Sequence, residues 1–62
     1  MIEVLKELLN KRVVVVHDDG NKSEGVTGYI KEIKDDAVRV ETDASRTIWL
    51  NSKYIIKVKE VR

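Results

Sequence analysis

The chain has 62 residues, twelve Lys+Arg against eleven Asp+Glu, and a formal net charge of +1. That length allows one domain at most, and one so small buries only about 60% of the surface its unfolded form exposes. With no cysteine and one histidine, His17, disulfides, thiolate metal sites and any multi-histidine site within one copy are excluded, which leaves oligomerisation as the remaining staple for a marginal core.

The near-neutral charge excludes a protein that coats duplex DNA by charge alone. No apolar run reaches the ~20 residues needed to span a bilayer. "MIEVLKELLNKR" reads as too short and too acidic for a secretory leader. A soluble, cytoplasmic protein is expected.

Ile2, Leu5, Leu8 and Leu9 recur at helical spacing, with Glu3, Lys6 and Glu7 between them. They predict an amphipathic helix over about 2–10 that cannot stand alone in water. "RVVVV" follows, continuous and β-branched. It predicts a strand over about 12–17 covered on both faces. "HDDGNKSEG" is turn-rich, with Asp19, Gly20 and Asn21 as its turn formers.

"VTGYIKEIK" predicts a strand over about 25–34. Gly28 in its middle marks a bend, a bulge or a close backbone approach. Asp35 and Asp36 make a tight turn. "AVRVET" alternates as a strand over 37–42, with Val38 and Val40 inward. "RTIWL" and "YIIKVKEV" predict the last strands, about 46–50 and 54–60. "NSK" between them is long enough for one 3₁₀ turn. Neither "IWL" nor "YII" alternates cleanly, so these strands carry apolar side chains on both faces. A helix and five short strands, one bent at a glycine, predict a mainly β fold: a small, strongly bent SH3-like barrel.

This order resembles the Sm-like family, whose bacterial branch is Hfq. "KRVVVVHDDG" resembles the family's first strand and turn, and "EGVTGYIKEI" its second strand with the glycine at Gly28. "RTIWLNSKYIIKV" resembles its second motif: a strand, a 3₁₀ link and a final strand. The resemblance implies an Sm-like barrel over residues 1–62, a homo-oligomeric ring, and single-stranded RNA as ligand. In such rings the fourth strand of one copy pairs with the fifth strand of the next. Lys34 and Val38 stand where the family's Asp and base-holding Asn would fall. Leu50-Asn51-Ser52 stands in place of its Arg-Gly or Lys-His pair.

Single-stranded nucleic acid is held by cations along its backbone and aromatic platforms under its bases. Arg46, Trp49, Asn51, Lys53 and Tyr54 lie together around the last turn and are the expected RNA contacts. Thr47, Ile48, Trp49, Leu50, Ile55 and Ile56 are the expected oligomer interface, because "TIWL" carries no charge and reads as an edge meant to be covered. The alternative is a structural or assembly module, natural or engineered, that contacts only protein.

Catalysis is not expected. The aspartates fall in turns, where backbone geometry asks for them, and no phosphate loop or Ser-His-Asp arrangement is present. No cofactor, metal or small-molecule substrate is implied. His17 reads as an exposed turn histidine. Trp49, Tyr29 and Tyr54 are the sole aromatics, too few for a polyproline groove.

Overall fold

The computed structural model describes residues 1–61. Its order is α1 (Ile2–Glu7), β1 (Arg12–Asp18), β2 (Ser23–Lys34), β3 (Ala37–Thr42), β4 (Thr47–Asn51), a 3₁₀ turn (Ser52–Tyr54) and β5 (Ile55–Glu60). The strands form one antiparallel sheet in the order β4-β3-β2-β1-β5.

The helix ends at Glu7, short of the predicted residue 10. The sheet takes the next residues from it. Leu9 makes a parallel bridge to Ile30, and the Asn10 N–H donates to the Ile30 carbonyl at 2.7 Å. Asn10 sits at φ +64°, a left-handed conformation that Asn tolerates better than most residues. The helix is held instead by Leu5, which is fully buried, with Ile2 and Leu8 partly buried beside it.

In β1, Val13 and Val15 are fully buried, whereas Val14 and Val16 are half-buried. The expected cover on both faces is therefore only partial. On the outer face Val14 is flanked in register by Thr27 and Lys59, and Val16 by Gly25 and Lys57.

β2 is twelve residues long and serves two partners. Its first part, up to Tyr29, pairs with β1; from Gly28 onward it pairs with β3. The handover falls at Gly28, as the sequence suggests. A Cβ there would run into the Glu41 carbonyl oxygen and come within 2.7 Å of the Thr42 Cα. A pairing irregularity follows between Ile30 and Glu32, a feature that bends a strand and increases its twist.

Val38 and Val40 of β3 are fully buried, as their alternation predicts. With Leu5, Val13, Val15, Ile30 and Ile55 they make the core. Against expectation, β4 alternates cleanly: Ile48 and Leu50 are half-buried against the core, and Thr47, Trp49 and Asn51 are exposed. The irregular look of "IWL" came from Trp49 alone, an apolar residue on the solvent side. Among the described residues, β4 and β5 are the outermost strands of the sheet. None of the described helices is long and apolar enough to cross a membrane.

Gly28→Ala should destabilise the protein by roughly 1–3 kcal/mol, the usual cost of forcing atoms into a filled site. Urea denaturation followed by circular dichroism measures this. A variant as stable as the parent would show that the β2–β3 approach can relax.

Candidate nucleic-acid and assembly surface

The expected contacts lie on the segment that runs through β4, the 3₁₀ turn and β5. The turn is set by Asn51, whose side-chain oxygen accepts the Lys53 N–H at 3.0 Å. The buried Ser52 adds a backbone tie, its N–H donating to the Asp36 carbonyl at 2.8 Å. Asn51 is thereby committed to local structure. Lys53 and Tyr54 are exposed beside it.

Arg46 stands at the other end of β4. Its backbone closes the β3–β4 connection: the Thr42 N–H donates to its carbonyl at 2.7 Å, and its own N–H donates to Thr42 Oγ1 at 3.2 Å. Arg46 and Asn51 are separated by roughly 16 Å of extended chain at about 3.3 Å per residue. The five residues are thus strung along an edge strand, not gathered in a pocket.

Tyr54 lines a shallow groove with Asp18, Asp19 and Gly20. Both carboxylates do turn work. Asp18 Oδ1 accepts the Gly20 N–H at 2.8 Å. Asp19 Oδ1 accepts the N–H groups of Lys22 at 3.0 Å and Asn21 at 3.1 Å. The bond from Lys22, then that from Asn21, holds the Asp19 carboxyl below the usual carboxylate range. Two negative charges beside Tyr54 disfavour a phosphate there.

Two arginines of the sheet are matched by acids. Trp49 stands opposite Arg39, whose Nε donates to Glu32 Oε1 at 3.0 Å. Arg12 grips Asp43 with two bonds, Nε to Oδ1 at 3.3 Å and Nη2 to Oδ2. Lys31 Nζ lies 5.4 Å from the centre of the Tyr29 ring. Arg46 and Lys53 have no ion pair among the described residues.

Of the expected interface residues, Ile55 is 7% exposed and belongs to the core of its own copy. Ile48 and Leu50 are half-buried. Thr47, Trp49 and Ile56 are open to solvent, Trp49 by 52% and Ile56 by 55%. His17 is a half-buried residue of β1, not a turn residue, and pairs with Glu24 and Ile55. Among the described residues no group of three or more His, Cys, Asp or Glu is placed to hold a metal ion.

Sequence reasoning missed two features. Val14, Lys59, Glu60 and Val61 line a second shallow groove, which the unbroken valine run could have signalled. The Arg12–Asp43 pair joins residues 31 apart in sequence, and nothing local announces it.

Hydrogen bonding to Arg12 lowers the pKa of Asp43. A carboxyl lowered on folding contributes stability above its unfolded pKa, about 4, and loses it as pH falls through the folded value. Asp43→Asn should therefore lower the melting temperature at neutral pH and flatten its decline under acid. A variant whose acid decline matches the parent's would show that the pair does not stabilise the fold.

No protein-family model, curated protein or solved structure matches this chain.

Proposed function

We propose that the chain is a self-assembling module with Sm-like organisation. Each copy is a strongly bent, SH3-like barrel, and β4 of one copy joins β5 of the next in a homo-oligomeric ring. One observation carries this reading: among the described residues the sheet ends on two strands with no outer partner, and one of them, Thr47–Asn51, carries no charge. An uncharged edge invites aggregation unless it is paired or covered. Two different edges meeting head to tail form a closed ring when the rotation closes. The small core favours the same solution, since association adds the burial that one copy lacks. The handover of β2 at Gly28 and the register shift between Ile30 and Glu32 support the bent barrel, because an irregularity of this kind bends its strand and increases its twist.

The reading assigns no catalysis and no cofactor. Asp18 and Asp19 are engaged with turn amides, which supports a structural role for them.

Single-stranded RNA is the second reading. Arg46, Lys53, Trp49 and Tyr54 support it, because all four are exposed on one segment. A ring would repeat that weak patch several-fold and raise its avidity. Asn51 contributes less than the sequence suggests, since its side chain closes the turn.

Light scattering at micromolar concentration should give a mass that is a multiple of 7.1 kDa. A single-copy mass at every concentration would sink the assembly reading. Trp49→Glu should reduce the mass to one copy while keeping the parent's far-UV circular dichroism. Fluorescence anisotropy with U-rich and A-rich oligomers tests the RNA reading. Binding that weakens steadily with salt is expected; no binding at low salt would leave the protein-only module.

A further inference from the structure

We infer that the seam between copies is keyed by Trp49, seated between Lys57 and Lys59 of the neighbouring copy. The inference rests on the assembly reading and adds the chemistry that fixes its register.

The two edges have opposite faces of matching character. On β4, Ile48 and Leu50 face the core, opposite Val40 and Val38, while Trp49 faces outward opposite Arg39. On β5, Val58 faces inward opposite Val15, while Lys57 and Lys59 stand opposite the outer-face residues Val16 and Val14. Below Lys57 the pairing with β1 shifts register, so the alternation stops there: Ile55 enters the core, and Ile56 is 55% exposed at the open edge.

An incoming β4 laid along β5 then meets like with like on one face. The inner-face residues Ile48 and Leu50 fall alongside Val58. On the other face Trp49 falls beside Lys57 and Lys59, which are about 7 Å apart as alternate residues of a strand. An indole is the best aromatic acceptor for an ammonium group, and the attraction strengthens as water is excluded. The lysine stems also cover its apolar faces.

A slip of one residue reverses every side chain. It would set Ile48 and Leu50 against the lysines and leave Trp49 on the inner face. The pairing is selective in charge too. Thr47–Asn51 brings no cation to the seam, and Arg39 behind Trp49 is already paired with Glu32. Lysines on an edge strand normally repel a passing strand. Here they would admit the one strand that brings an aromatic ring and no charge.

Trp49 is the chain's single tryptophan, so its emission reports the seam without any label. The parent is diluted through its dissociation range while mass and emission are followed together. Emission should shift to the red, and quenching by acrylamide should rise, at the concentration where the mass falls. The Lys57→Ala/Lys59→Ala variant should dissociate at about tenfold higher concentration, and Lys57→Arg/Lys59→Arg within about twofold of the parent, because arginine keeps the cation. If the mass falls on dilution while emission stays constant, or the alanine variant assembles like the parent, the Trp–Lys seam is wrong and the assembly reading stands. A parent that is one copy throughout overturns both. The emission measurement needs no variant, so it remains decisive should a substitution disturb folding.

Discussion

A missing side chain at Gly28 is the constraint on which the rest of this small sheet depends. There β2 leaves β1 for β3, and the Glu41–Thr42 backbone lies where a Cβ would have to be. With that approach in place, Ile30 turns into the core and meets Val13, Val15, Val38 and Val40 from its neighbouring strands. The same turn brings the Ile30 carbonyl to the Asn10 N–H, which ends the helix and presses Leu5 onto the core. A 62-residue chain has few such contacts to lose.

That geometry also decides what is left open. Among the described residues, each side of the handover ends in a strand with one unpaired edge, β4 on one side and β5 on the other. Their chemistry differs. β4 is free of charge, and β5 carries Lys57, Lys59 and Glu60. Two copies of β4 would offer each other no electrostatic selection. Two copies of β5 would set lysines against lysines. The unlike pair avoids both problems, and it is the pair that can propagate head to tail. In the proposed assembly, electrostatics would select the partner more than strengthen the contact.

Much of the fold was legible in the sequence because the signals were local. The valine pair in "AVRVET", the turn formers after His17 and the break at "NSK" each specify their element within a few residues. The helix end was not legible, since Leu9 and Asn10 are claimed by Ile30, twenty residues from Asn10 in sequence. Nor was the alternation of β4: Trp49 looks like a core residue by composition, and only the register with Arg39 puts it outside. The candidate site was less legible still. Residues adjacent in sequence become spread out on an extended strand, which separates Arg46 from Lys53. Asn51 carries an amide suited to a base, yet the turn uses it. Ile55 and Ile56 are alike in sequence; the pairing irregularity at Val16 and His17 places one in the core and leaves the other exposed.

The central claim is that β4 and β5 are partners across copies. Amide hydrogen exchange read residue by residue, at a dilute and a concentrated sample, tests it most directly. In one copy the β4 amides that point away from β3 face water. The account predicts that these amides within Thr47–Asn51, and the outward amides of β5, gain protection together as concentration rises, while the β1–β2 ladder changes little. Protection independent of concentration on both strands, or a gain on one strand without the other, would contradict it.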